Sequence, residues 1–142
     1  MEKVNTEFVK KSYNTAISNY INATNRIGLW ESEEYVFNKY FEKDKMILDI
    51  GCGTGRTTFG LYELGYKNII GLELSEDMLF SARKISKNKG YNIKFIQGDV
   101  KDLKFKDDSL DYALFSFNGI MQIPKKDNRI KALKEIKRIL KS

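Results

Sequence analysis

The sequence predicts an α/β fold in which a doubly wound, mostly parallel sheet is covered by helices on both faces. Strand-length apolar runs alternate with amphipathic helical patterns from residue 43 onward, and this alternation favours a parallel sheet with right-handed crossovers. The runs are almost continuously apolar, as expected of strands buried on both sides. We therefore expect a single domain, 1–142, with a helical N-terminal cap at 1–42 and the sheet core at 43–142.

Each element has its own local signal. Residues 4–24 and 29–41 carry apolar residues at helical spacing, with a connection expected at 22–28. The four predicted strands lie at 46–50, 68–74, 92–97 and 112–117. The predicted core helices lie at 56–64, 76–89 and 127–140. Ser75 is a favourable N-cap for the second of these helices, and Gly90 ends it. The last helix has a predicted buried stripe of Ile130, Leu133, Ile136, Ile139 and Leu140.

A glycine-rich turn joins the first strand to the next helix. Gly51, Gly53 and Gly55 allow sharp backbone turns and leave no Cβ between the main chain and a ligand. Such a turn brings a bound molecule to a helix N-terminus, although the same glycines also suit a turn without any ligand. The single cysteine, Cys52, lies within the turn and has no disulfide partner, so we expect a small buried filler rather than a reactive thiol.

Polar residues follow the ends of the predicted strands. In Rossmann-like sheets, ligands bind beyond the carboxyl ends of the strands, where the strand order reverses, and an order of 3-2-1-4 puts that point at the first strand. Glu73 ends the second strand at the offset of the ribose-binding carboxylate in dinucleotide folds. Asp99, Ser116 and Asn118 follow the third and fourth strands, where each could alternatively be a turn or cap residue.

Composition excludes several classes of site. The chain has no histidine, which rules out imidazole-based zinc sites and Ser/His or Cys/His nucleophiles, so we expect no metal. It shows neither a signal peptide nor an apolar run long enough to span a bilayer, which favours a cytoplasmic protein without a membrane partner.

The net charge of +6 comes from the second half of the chain. Residues 1–71 hold 9 basic and 9 acidic residues, whereas residues 72–142 hold 16 and 10. The segment 125–142 alone has 8 basic and 2 acidic residues. This segment is either the solvated face of a Lys-rich helix or a nucleic-acid-binding surface.

Four segments of the chain resemble the class I S-adenosylmethionine-dependent methyltransferases in order and spacing. They are Leu-Asp-Ile-Gly-Cys-Gly-Thr-Gly at 48–55, Ile-Gly-Leu-Glu-Leu-Ser at 70–75, Gln-Gly-Asp-Val at 97–100, and Asp-Asp-Ser-Leu-Asp-Tyr-Ala-Leu-Phe at 107–115. The resemblance covers roughly residues 30–142. It implies transfer of a methyl group from S-adenosylmethionine to an acceptor, with a small molecule as the default acceptor.

The resemblance also implies roles for residues of the first two segments. The backbone of Gly51, Cys52 and Gly53 would line the methionine and ribose parts of the cofactor. Asp49 would help to hold the amino end of the methionine, directly or through water. Glu73 would accept hydrogen bonds from both ribose hydroxyls, which suits a carboxylate with two oxygens.

The remaining implied contacts concern the adenine and the sulfonium. Leu74 would pack on the adenine, Asp99 would accept from its amino group, and the backbone of Val100 would meet the ring edge. Ser116 and Asn118 would lie near the sulfonium and face the acceptor. No catalytic residue is assigned, because a base is needed only if the acceptor must lose a proton.

Two alternatives remain beside this interpretation. One is a nicotinamide-dinucleotide-binding oxidoreductase module, although the pattern here is G-x-G-x-G followed by Arg56, and Asp49 would repel a pyrophosphate. The other is a basic nucleic-acid-binding domain in which the turn is only structural. The first helix either packs on the sheet or, as in many relatives, forms a lid with Tyr13 and Tyr20 facing the ligand.

The chain departs from the family pattern after its last helix. Relatives usually continue with about three more strands, so we expect a truncated form that retains the cofactor-binding portion. The fourth strand would then be an exposed edge of the sheet, and unpaired edges invite pairing with another chain. We therefore expect a homo-oligomer that forms through residues 112–117.

Overall fold

The computed structural model describes residues 5–117 and 119–142, apart from the side chains of residues 10 and 13–15. The α-helices are Thr6–Thr15 (α1), Ile17–Arg26 (α2), Glu31–Tyr40 (α3), Arg56–Glu63 (α4), Glu76–Asn88 (α5) and Lys126–Ile139 (α6). The strands are Ile47–Ile50 (β1), Ile69–Glu73 (β2), Lys94–Gln97 (β3) and Tyr112–Leu114 (β4), and a short 3-10 helix covers Gly119–Gln122. Within the described ranges, every helix is too short or too polar to cross a membrane.

The four strands form one parallel sheet in the order β3-β2-β1-β4, which confirms the predicted fold class and strand order. Asp49 on β1 is level with Gly71 on β2 and with Leu114 on β4. Glu73, the last residue of β2, pairs in register with Gln97 of β3. The carboxyl ends of all four strands therefore meet at one edge of the sheet.

Strand β1 is at the centre of the core and is buried along its whole length. Leu48 and Ile50 point to the side packed by α6, where Ile139 is fully buried. Ile47 points to the opposite side, in a cluster with Leu61 of α4. Alternate side chains of β1 thus enter two separate clusters, which explains why its sequence is nearly continuous in apolar residues.

The N-terminal cap differs in detail from the sequence prediction. Two helices, α1 and α2, replace the single helix expected at 4–24, with a break at Ala16, where φ is −96° and ψ is 4°. The connection expected from residue 22 is wrong, because α2 continues to Arg26. Thr24 explains this continuation: its buried hydroxyl shares a 2.6 Å hydrogen bond with the hydroxyl of Thr54, so α2 is fixed to the glycine turn.

Helix α6 is less buried than its apolar stripe predicted. Ala132 and Ile139 are fully buried, but Leu133 is 55% exposed and Ile130 is 40% exposed. The prediction for these two residues is therefore wrong. The reason is that the helix meets the sheet through the face that carries Ala132 and Ile139, and no element among the described residues packs over Leu133 and Ile130.

Strand β4 is an edge strand and is shorter than the predicted 112–117. It ends at Leu114, and Phe117 takes a left-handed φ of 53°, which is incompatible with an extended strand. Below the strand, the N–H of Lys141 donates to the carbonyl of Leu110, 2.9 Å away, in a short parallel bridge. The chain after α6 therefore covers the base of this edge.

Candidate functional site

A cavity of about 230 Å³ lies at the carboxyl edge of the sheet. Its walls come from the glycine turn, from the segments after β2, β3 and β4, and from α1 and α2. Of the residues predicted for the site, those that line the cavity are Gly51, Cys52, Gly53, Glu73, Leu74, Asp99, Val100 and Ser116. The structure thus brings together side chains that the sequence places up to 65 positions apart, at one crevice.

The glycine turn has a backbone that side chains would obstruct. Gly51, Gly53 and Gly55 all have positive φ, at 67°, 56° and 97°. A Cβ on Gly51 would lie 2.9 Å from the ring of Phe115, and one on Gly55 would lie 2.7 Å from the ring of Phe59. These distances are shorter than van der Waals contact, so glycine is required both for conformation and for space.

Glu73 points into the crevice beside the turn and is almost fully buried, at 6% exposure. Its Oε2 accepts from the N–H of Gly53 at 3.0 Å, and its Oε1 accepts from the N–H groups of Leu74 and Ser75 at 2.8 and 2.9 Å. Burial raises the pKa of Glu73 despite these three donors. Because Oε1 already has two donors and Oε2 has one, a ligand hydroxyl finds its open acceptor site on Oε2.

Asp49 lies one layer behind the turn and is completely buried. The hydroxyl of Thr58 donates to its Oδ2 at 2.6 Å, whereas its Oδ1 has no hydrogen-bond partner among the described residues. Burial, only partly offset by the Thr58 hydrogen bond, raises the pKa of Asp49 to about 7. Asp49 does not line the cavity. Its predicted interaction with a cationic amino group would therefore be a longer-range charge attraction or a water-mediated hydrogen bond.

The segment after β3 forms the far wall of the cavity. Oδ1 of Asp99 accepts from the N–H of Lys101 at 2.9 Å, and Oδ2 lies 3.3 Å from the ammonium of Lys101. The same ammonium donates to the hydroxyl of Thr6 on α1, 3.1 Å away. Lys101 therefore links this wall to the N-terminal cap. Sequence reasoning missed Lys101, since a lysine beside an aspartate is unremarkable in a basic chain.

The segment after β4 closes the other side. The hydroxyl of Ser116 shares a 3.2 Å hydrogen bond with that of Thr57 in the first turn of α4. Asn118, the other predicted residue, lies outside the described residues. Cys52 is 8% exposed, and burial raises the pKa of its thiol well above the usual range, which agrees with a structural filler.

The N-terminal cap supplies one wall of the same cavity. Tyr20 of α2, one of the two tyrosines of the lid alternative, lines it, and burial together with the charge of Glu73 raises the pKa of its hydroxyl. Thr6, Ala23 and Thr24 also line it. The side chain of Tyr13, the second tyrosine of the predicted lid, lies outside the described residues.

Sequence reasoning missed an ionic junction between the cap and the turn. Arg56 donates to both carboxylate oxygens of Glu33, each at 2.7 Å, and to the carbonyl of Gly28 at 2.7 Å. Trp30 and Phe117 lie beside this junction and line the cavity. Spacing alone gave no signal for the Glu33–Arg56 pair, because its members come from different helices.

The residues of the cavity fit S-adenosylmethionine better than a dinucleotide. A carboxylate at the ribose position, a turn with glycine at 51, 53 and 55, and the buried Oδ1 of Asp49, which has no hydrogen-bond partner among the described residues, suit an adenosyl group with a cationic amino acid end. A pyrophosphate binds at a helix N-terminus and is stabilised further by nearby positive charge. Among the described lining residues the two cations, Arg56 and Lys101, are each already paired with a carboxylate. The described residues contain no cluster of acidic or thiol groups that could hold a metal ion.

Comparison with known proteins agrees with this geometry. The methyltransferase domain family model matches residues 47–142. The chain is 33% identical to demethylmenaquinone methyltransferase of Staphylococcus carnosus and 34% identical to that of Lactococcus lactis, with 98% and 99% of this chain aligned. It covers only 58% and 57% of those two relatives.

A crystal structure of a putative S-adenosyl-L-methionine-dependent methyltransferase from Methanococcus maripaludis shares the fold. It superposes with a TM-score of 0.70 at 23% identity, over 100% of this chain and 62% of that one. The family match extends over the sheet core, and its region contains the glycine turn and the acidic strand ends described above. The chain therefore belongs to the class I S-adenosylmethionine-dependent methyltransferase family.

Proposed function

We propose that this chain, as one domain with a cap at 1–42 and a sheet core at 43–142, binds S-adenosyl-L-methionine in the cavity. We propose further that it serves methyl transfer to a small-molecule acceptor. The observation that carries the proposal is the carboxylate of Glu73, whose Oε2 accepts at 3.0 Å from the N–H of Gly53 in the glycine turn. The relatives from Staphylococcus and Lactococcus are named for a small-molecule substrate, demethylmenaquinone, which supports an acceptor of that size.

In this proposal, the ten predicted residues keep the roles given by the resemblance. Glu73 accepts from the ribose through Oε2, and the adenine packs between Leu74 and the Asp99–Val100 segment. Asp49 stabilises the cationic amino end from behind the turn. Ser116 and Asn118 face the acceptor, while the backbone of 51–53 lies along the ligand.

The cofactor, when bound, supplies a methyl group on a positively charged sulfur, and the electrons of the broken S–CH₃ bond stay on that sulfur. The chain's task is to align the acceptor with that bond and to exclude water. In this proposal Glu73 binds the ribose and Asp99 binds the adenine, so neither carboxylate faces the acceptor as a general base. An acceptor that arrives with its nucleophilic lone pair already available suits this site.

Calorimetric titration tests the proposal against its two alternatives. We expect micromolar-range binding of S-adenosylhomocysteine and none of NADH or a short RNA. Glu73→Ala should abolish this binding. Glu76→Ala is the matched control, because Glu76 is half-exposed on α5 and contacts only Arg83. Heat with NADH but not with S-adenosylhomocysteine would identify a dinucleotide module instead.

The nucleic-acid alternative rests on the exposed lysines of α6. Lys126, Lys131, Lys134 and Lys137 are all exposed along this helix. RNA binding that weakens steeply with salt, without any heat from S-adenosylhomocysteine, would favour this reading over the first. RNA binding in addition to S-adenosylhomocysteine binding would point to an RNA acceptor.

We also propose self-association through the β4 edge, since Tyr112, Ala113 and Leu114 have no neighbouring strand on their outer side among the described residues. Such an edge is a template for pairing with a second copy. The exposed side chains of Leu133 and Ile130 are on the nearby helix α6 and would add apolar area to that contact.

A further inference from the structure

Two exposed aromatic side chains line the cavity, and the opening beside them is its mouth. Trp30 is 50% exposed and Phe117 is 66% exposed, and both line the cavity. Their ring centroids are 5.7 Å apart and the rings meet edge to face at 84°. Other exposed aromatic residues, such as Phe80 on α5, lie outside this cavity.

The pair is held in place by the ionic junction behind it. The guanidinium carbon of Arg56 lies 5.8 Å from the centre of the Phe117 ring. The same group is fixed by the two oxygens of Glu33, which also accepts from the N–H of Trp30 at 3.0 Å. The carboxylate of Glu33 therefore positions both the guanidinium of Arg56 beside the Phe117 ring and the backbone of Trp30, the N-cap residue of α3.

The backbone of Phe117 adds to this arrangement. A bulky residue at a φ of 53° is uncommon and costs about 1 kcal/mol or more, so the surrounding contacts must stabilise it. The left-handed conformation turns the chain out of β4 directly after Ser116, and it leaves the Phe117 ring at the mouth rather than in the core.

Among the described residues, the surface around Trp30 and Phe117 is largely apolar, and the charged side chains beside it are paired. Arg56 and Glu33 neutralise each other, with only 15% and 17% of their side chains exposed. Ile27, which is 56% exposed, lies on the same rim. A flat ring can stack on one aromatic face while meeting the edge of the other, and such contacts add about 0.5–1.5 kcal/mol to area burial.

We propose that Trp30 and Phe117 bind the methyl acceptor and select a planar, uncharged aromatic ring, with Arg56 and Glu33 as positioning residues. This proposal rests on the proposed function, because it assigns the acceptor side of the same cavity. It makes the two aromatic residues the determinants of acceptor shape, while the cofactor contacts stay with the glycine turn and Glu73.

The test uses two probes that share one skeleton. The chain is saturated with S-adenosylhomocysteine and titrated in a calorimeter with 2-naphthol, which is flat, and with decahydro-2-naphthol, which is not. We expect the flat probe to bind about tenfold more tightly, which corresponds to about 1.4 kcal/mol.

Variants separate this role from folding. Phe117→Leu and Trp30→Leu should each weaken 2-naphthol binding about fivefold, while S-adenosylhomocysteine binding is retained and each variant still melts in one cooperative transition. Arg56→Lys keeps the charge but loses the two-pronged pair, and should also weaken 2-naphthol binding. Phe80→Leu removes a ring that is as exposed as that of Phe117 but lies outside the cavity, and it should not change the affinity for either ligand.

Equal affinity for the two probes, no binding of either, or an unchanged affinity in Phe117→Leu would overturn the proposal. Failure of S-adenosylhomocysteine to bind would instead overturn the proposed function. The 2-naphthol titration is then repeated on the chain alone, so the two failures are told apart.

Discussion

The two halves of the sheet differ in how far contacts within the chain cover their strands and pair their polar groups. Around β1 and β2, the carboxylate of Glu73 has three backbone donors, and the strands lie between two buried clusters. Around β4 and α6, an edge strand is open on its outer side and Leu133 is 55% exposed. The cofactor side, meaning the β1–β2 side for which we propose cofactor binding, is therefore held by contacts among described residues of this chain. The β4–α6 side leaves exposed the edge strand and the apolar side chains through which we propose self-association.

The largest expected effect concerns a buried polar atom on the cofactor side, Oδ1 of Asp49, for which the described residues provide no hydrogen-bond partner. Asp49 has a pKa of about 7 in the folded chain, against an ordinary value of 3.8. The folded state therefore binds the proton more tightly, and stability falls as pH rises from about 4 to about 7. The loss attributable to Asp49 is about 4 kcal/mol at most.

Urea unfolding of the parent chain and of Asp49→Asn between pH 4 and pH 8 measures how much of the pH dependence of stability comes from Asp49. We expect the Asn variant to lose that part of the pH dependence and to be the more stable chain at pH 8. Asp102→Asn, a change at an exposed carboxylate, should leave the parent's slope intact. Parallel slopes for the parent and Asp49→Asn would mean that Asp49 is not the group that titrates.

The next effect tests how tightly the cofactor side is packed. A Cβ on Gly71 would lie 2.6 Å from the ring of Phe95 and 3.0 Å from the sulfur of Cys52. Gly71→Ala should therefore lower the free energy of unfolding by about 2–3 kcal/mol, as overpacking of a rigid core does. Gly98→Ala is the milder control, because its Cβ would meet only the side chain of Leu72, at 3.0 Å. If chemical denaturation ranks the two variants in the opposite order, the packing around Gly71 accommodates a methyl group more easily than the packing around Gly98 does.

The same contrast explains what the sequence could predict. Apolar runs that alternate with helical patterns predicted the strands and the parallel sheet, and the glycine spacing predicted the turn. The family resemblance implied the strand order and the roles of the ten site residues, eight of which line the cavity. Each of these sequence patterns lies within one short segment, so it can be recognised without knowing which distant residues the segment contacts.

Features that depend on contacts between distant segments were not predictable in this way. The Glu33–Arg56 pair joins residues that are 23 positions apart, and Lys101 reaches Thr6 across 95 positions. Helical spacing also placed Leu133 in the buried stripe of α6, because periodicity defines an apolar face but not whether anything covers it. Its exposure depends on what packs against the helix.

The smallest effect on folding is expected at Leu133, and it bears on the β4–α6 side. Since Leu133 is largely exposed, Leu133→Lys should change the free energy of unfolding by no more than about 0.5 kcal/mol. Ile139→Ala, at a fully buried position of the same helix, should lower the free energy of unfolding by about 3 kcal/mol.

Sedimentation velocity across a wide concentration range tests whether two copies associate through this surface. If two copies pair through the β4 edge and α6, the parent should associate with rising concentration and Leu133→Lys should stay monomeric, because a lysine would have to be buried in the contact. A monodisperse monomer for the parent at every concentration would contradict self-association, and the open edge would then have to be tolerated by this chain because its strand is only three residues long.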